Sequence, residues 1–98
     1  MATFQEIIKG EKPVLVDFHA DWCGPCKIMN PVLKNIKSKL GKDLIILKIN
    51  IDNNSAVAEK FQVKGVPTFI LFRNGEIKWR QSGIIEENNF IELIQKEL

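Results

Sequence analysis

Val14, Leu15, Val16 and Phe18 make one apolar run interrupted only by Asp17. Together with Pro13 in front, "PVLVDFHA" predicts a buried strand. Beyond it the apolar period lengthens. Ile28, Met29, Val32, Leu33, Ile36 and Leu40 recur at helical spacing, and Gly41 follows as a stop. Pro31 lies inside that pattern and predicts a kink. "LIILKI" is a second apolar strand, and "NNSAVAEKF" a short helix capped by Asn or Ser. "TFILF" is a third strand. Asn74-Gly75 after it is a strong hairpin signal, which makes "EIKWRQS" its antiparallel partner. Glu86 to Leu98 reads as an amphipathic helix with Phe90, Ile91, Ile94 and Leu98 on one side. Ahead of everything, Thr3 and Glu6 form a capping-box pattern for a short helix that Gly10 can end. Phe18, Phe69, Phe72, Trp79 and Phe90 are expected in the core.

The order is therefore helix, β-α-β, helix, β-hairpin, helix. A right-handed crossover makes the first two strands parallel. The expected architecture is an α/β fold: a four-stranded mixed sheet with helices on both faces. A chain of 98 residues suits a single domain, residues 1–98, and 45% hydrophobic residues suit a globular one. The formal net charge of +2 is too small to suggest nucleic acid. The lysines from Lys27 to Lys42 fit the solvated side of the long helix. "LIIL" and "TFILF" are too short to span a membrane. "MATFQEIIKGEK" lacks the basic start and apolar stretch of a signal peptide, so the expected location is the cytoplasm.

The two cysteines, Cys23 and Cys26, stand in "WCGPCK". They fall just past the carboxyl end of the first strand, where open α/β sheets react. Three kinds of chemistry compete for them. A structural disulfide closing so short a loop would contribute only about 2 kcal/mol, in a compartment that keeps thiols reduced. A structural zinc site needs four ligands, and the chain has no second Cys pair and one histidine, His19. Thiol–disulfide exchange needs one attacking thiolate and one resolving thiol close by, and the spacing favours it. A helix N-terminus stabilises negative charge on the first sulfur. Gly24 lets a substrate backbone approach, and Pro25 suits a helix start.

"VLVDFHADWCGPCK", "KINID", "VKGVPTFILFRNG" and Gly83 together resemble the thioredoxin family, from Pro13 to the C-terminus. The resemblance implies the thioredoxin fold and a monomeric protein-disulfide reductase. Its partners would be disulfide-containing proteins and a thioredoxin reductase. It would need no metal or organic cofactor beyond a redox-active Cys23–Cys26 disulfide. The rival readings are a disulfide oxidase or isomerase, a non-catalytic interaction module on the same fold, and a metal-binding protein. By resemblance Cys23, the more exposed, attacks and the buried Cys26 resolves. Asp17 takes the proton from Cys26; the plainer reading is a hydrogen-bonded structural carboxylate. Lys48 resembles a family lysine near that carboxylate, or simply reaches solvent. A cis Val66–Pro67 bond would pack against the cysteines. Trp22, Gly65, Val66, Pro67, Gly83 and Ile84 would form an apolar platform around Cys23, with the Trp22 indole bonded to Asp52. Two departures stand out. His19 replaces an aromatic residue, and either fills its space or titrates and perturbs Asp17 or the cysteines. The short stretch before Pro13 predicts four strands where many relatives have five.

Overall fold

The computed structural model describes residues 2–98. Its elements are α1 (Phe4–Ile8), β1 (Val14–His19), α2 (Gly24–Leu40), β2 (Ile45–Asn50), α3 (Ser55–Lys60), β3 (Thr68–Arg73), β4 (Glu76–Ser82) and α4 (Glu87–Gln95). The strands form one sheet in the order β2-β1-β3-β4. β1 and β2 are parallel, while β3 runs antiparallel to β1 and to β4. The expected four-stranded mixed sheet is therefore present among the described residues.

Strand alternation sends neighbouring side chains to opposite faces and builds two cores. Leu15, Phe69 and Leu71 face α2 and α4, packing with Met29, Leu33, Ile36, Phe90 and Ile94. Val14, Val16, Phe18, Ile70 and Phe72 face the other way, against Ile8 of α1 and Phe61 after α3. β1 and β3 are the central strands and are almost wholly buried, whereas β2 and β4 are edges and are not. Asp17 is on the α2 face because it alternates with Val16 and Phe18.

Local chemistry accounts for the boundaries. The Glu6 backbone N–H donates to Thr3 Oγ1 at 3.2 Å, which caps α1. Asn74 and Gly75 both have positive φ, 54° and 80°, as the two-residue hairpin requires. Their backbone N–H groups donate to Gly10 and Ile8 carbonyls at the end of α1, so the hairpin turn also anchors that helix.

Four expectations change. Ile28 is 59% exposed, because the buried stripe of α2 follows Cys26, Met29, Leu33, Ile36 and Leu40 instead. Leu98 is also exposed, lying beyond the end of α4. Trp79 is only partly buried, since β4 is an edge, and it packs edge-on to Phe90 from the rim of the core. α2 runs unbroken through Pro31, whose ring sits on the exposed side.

Candidate active site

β1 ends at His19, and after four intervening residues α2 begins. Cys23 is the N-cap of α2, with extended backbone (φ −92°, ψ 108°). Its Sγ accepts a hydrogen bond from the Cys26 backbone N–H at 3.1 Å. A sulfur thus stands where helices usually place a serine or aspartate oxygen. Pro25, in the first turn, gives up no hydrogen bond there. No acidic residue occupies that turn to oppose negative charge on the sulfur. Cys23 and Cys26 are joined as a disulfide. A helix N-terminus, one N–H donated to Cys23 Sγ and two sulfurs a turn apart can hold a thiolate at Cys23 and close a disulfide from Cys26.

Cys23 was expected to be the more exposed cysteine, and it is as buried as its partner. Its exposure is 3%, against 6% for Cys26. The disulfide and the N–H bond hold it against the helix end, where Ala20, Ile51 and Val66 pack around the pair.

Asp17 is buried at 3% exposure, and its Oδ1 has no hydrogen-bond partner. In the sheet it lies opposite Lys48 on one side and Phe69 on the other. Burial pushes its carboxyl above the ordinary value, and the nearby charges of His19 and Lys48 pull partly back. Lys48 does not ion-pair with it. Its Nζ donates to Asn30 Oδ1 of α2 at 2.9 Å. His19 is half-buried on the same face as Asp17. With Asp21, Cys26, Lys27, Asn30 and Lys48 it lines a cavity of about 390 Å³ that opens beside Cys26.

The proposed platform is assembled from three loops. Val66–Pro67 is cis, Pro67 is buried, and Val66 packs on the cysteines. Thr68 Oγ1 bonds the Gly65 carbonyl at 2.6 Å and Ser82 Oγ at 2.9 Å. The Gly83 N–H donates to the Pro67 carbonyl at 2.9 Å, and Gly83 has φ +90°, which suits glycine alone. These bonds set Gly65–Pro67 beside Gly83. Trp22 and Ile84 are 68% and 54% exposed, so Trp22 is no core residue. Its indole N–H donates to Asp52 Oδ2 at 2.9 Å, as anticipated.

Sequence reasoning missed Asn30, Asn50 and Thr68. Asn50 Oδ1 accepts from the Asp52 N–H at 2.9 Å, orienting the carboxylate that holds Trp22. Its place at the end of a strand, one residue from "ID", was the available signal. Asn30 bridges elements distant in sequence, and nothing local marks it; Thr68 bonds Gly65 three residues away and Ser82 across the hairpin, and its place directly after Val66-Pro67 was the available signal. Among the described residues no group of three or more His, Cys, Asp or Glu side chains converges as a metal site would require.

A family model described as Thioredoxin matches residues 1–96. The chain is 41% identical to thioredoxin Y, chloroplastic, of Oryza sativa over 98 residues, which is 99% of the chain and 58% of that longer protein. It is 38% identical to the thioredoxin of Rickettsia bellii, covering 96% of the chain and 90% of the relative. A mutant thioredoxin from Halobacterium salinarum superposes with a TM-score of 0.87 at 35% identity, over 95% of this chain and 80% of that one.

Proposed function

The chain belongs to the thioredoxin family and carries thiol–disulfide oxidoreductase chemistry in its Cys23–Cys26 pair, and we propose that it reduces protein disulfides and is itself re-reduced by a thioredoxin reductase. The observation that carries this reading is the Cys26 N–H bonded to Cys23 Sγ at the start of a 17-residue helix. The same donor and helix end stabilise a thiolate once the disulfide is reduced.

The reduced protein begins the cycle. The Cys23 thiolate attacks one sulfur of a substrate disulfide. The other substrate sulfur leaves as a thiolate and takes up a proton. A mixed disulfide now joins Cys23 to the substrate. Cys26 gives its proton to Asp17 through water, and its thiolate attacks Cys23 Sγ. The second substrate sulfur leaves and is protonated. Two electrons have passed to the substrate, and the Cys23–Cys26 disulfide remains. The platform of Trp22, Gly65, Val66, Pro67, Gly83 and Ile84 receives the substrate, with the Val66 backbone pairing to an extended segment. No organic cofactor or metal enters these steps. We place the protein in the cytoplasm as a monomer, because net reduction of disulfides needs a reducing pool.

The test is turnover of insulin disulfides with thioredoxin reductase and NADPH. Steady NADPH consumption that depends on the chain is expected. No consumption, with the reductase active on another thioredoxin, overturns the reading. A reduction potential near the ~−180 mV of a disulfide isomerase would reassign the chain to the isomerising branch.

A further inference from the structure

The cavity beside Cys26 holds a titratable residue, His19, to which the mechanism above gives no part. His19 lies two positions after Asp17 on the same face of β1, roughly 7 Å away by strand geometry. It is half-buried and lines the cavity with Cys26, Asn30 and Lys48. The groups facing the Asp17–His19 pair come from every neighbouring element. β2 contributes Lys48, tied to Asn30. α2 contributes Cys26 and Lys27, and the β1–α2 loop contributes Asp21. β3 contributes only the apolar Phe69 opposite Asp17. Asp17 Oδ1 has no hydrogen-bond partner, so nearby positive charge is one of the few means of favouring its ionised form. Of the two side chains whose charge acts on Asp17, Lys48 is already committed to Asn30. An imidazole changes charge within the physiological range.

We propose that His19 is a positioning residue for the resolving step: its protonated imidazole, set in the cavity beside Cys26, favours the carboxylate form of Asp17 that accepts the Cys26 proton. The inference rests on the oxidoreductase reading and assigns its proton-accepting step a dependence on this chain's own histidine. The atoms balance as before. Cys26 S–H gives its proton to Asp17, the Cys26–Cys23 bond forms, and the Cys23–substrate bond breaks. His19 loses and gains nothing in the step; it biases which form of Asp17 meets the thiol. An ionised Asp17 and a protonated His19 favour each other.

Three substitutions separate charge from shape. His19→Phe fills similar space without charge. His19→Lys keeps a charge without the ring. His19→Gln has neither. In the disulfide form the cysteines do not titrate, so the Asp17 carboxyl carbon can be followed by NMR alone. At a spacing of roughly 7 Å, losing the charge should raise the Asp17 midpoint by about one pH unit in the Phe and Gln variants, and the Lys variant should keep it near wild type. The rising limb of the single-turnover rate with insulin should move the same way in the reduced proteins. Equal midpoints in wild type and His19→Phe overturn the proposal, and so does a Lys variant that moves as far as Phe. Wild-type turnover distinguishes the failures: if it is absent, the oxidoreductase reading falls first. If it is present with unmoved midpoints, only the role of His19 falls.

Discussion

Replacing Asp17 by asparagine removes an ionisable group from a site that is 3% exposed and leaves Oδ1 unpartnered. A buried polar group without a partner costs about 1–3 kcal/mol, and more when it is charged. The sign with pH follows from the raised carboxyl. The folded state binds the Asp17 proton more tightly than the unfolded chain, whose value is 3.8. Stability therefore falls as pH rises from that value through the raised folded one, and stays low above it. Asparagine has no such dependence. Below the unfolded value both proteins carry a neutral group, and their stabilities should be close. Above the folded value the variant should be more stable by about 1–3 kcal/mol. Each kcal/mol corresponds to about 4–8 °C in Tm for a domain of this size. Urea titrations of the oxidised forms at pH 3.5 and pH 8 measure the difference directly. The cost in chemistry should appear at once, because a positioned general base is worth about 10²–10⁴ in rate. The variant should gain stability and lose the resolving step by at least about 10²-fold. A variant no more stable than wild type at pH 8, or one with the same gain at both pH values, would refute the assignment of Asp17 as a buried carboxylate only partly compensated by nearby charge.

Cys26→Ser should abolish turnover with insulin and leave a mixed disulfide on Cys23, seen as a mass adduct on a non-reducing gel; a variant that releases product normally would remove Cys26 from the resolving role. Asp52→Ala breaks the bond to the Trp22 indole on an exposed surface, so stability should fall by no more than about 1.5 kcal/mol. KM for insulin should rise while kcat holds, and an unchanged KM would take Trp22 off the platform. Gly75→Ala forces a Cβ into φ +80° at the hairpin turn, and should cost about 1–2 kcal/mol. Because that turn is at the opposite end of the sheet from Cys23, kcat/KM at 25 °C should not change.

The elements were legible because each announces itself locally. Asn74-Gly75 requires two positive φ values, and the structure has them. The apolar period over Met29, Leu33, Ile36 and Leu40 sets the buried side of α2, but its phase depends on Cys26 counting as apolar, and that displaced Ile28 to solvent. What stayed hidden depends on contact across elements. Lys48 has both a buried carboxylate and an α2 amide within reach in principle, and only the packing of α2 on β2 gives it to Asn30. The burial of Cys23 likewise depends on Val66 and Ile51, 43 and 28 residues away in sequence. A cis Val66–Pro67 bond is a minority state for any X–Pro pair, so it could be expected from resemblance alone.

The sheet order explains why four strands suffice for the chemistry. Asp17 and His19 are on β1, and the Val66–Pro67 loop leads into β3. Both strands are central, so each has a hydrogen-bonded neighbour on either side. The unpaired edge falls on β2. The Ile45 N–H bonds the Pro13 carbonyl and the Ile51 N–H bonds the His19 carbonyl. Alternate residues of a parallel strand face opposite ways, so the backbone groups of Ile46, Lys48 and Asn50 point outward, away from β1. An open edge invites pairing with another chain unless charge blunts it, and lysine is a common device. Lys48 stands in the middle of that row and also opposite Asp17. Its ammonium bonds Asn30 of α2 and forms no ion pair with β1's carboxylate. One lysine thus guards the edge while the charge nearest Asp17 along its own strand is left to His19. A fifth strand beside β2 would cover that edge without touching β1 or β3, which is why its absence among the described residues bears on stability and association rather than on the dithiol.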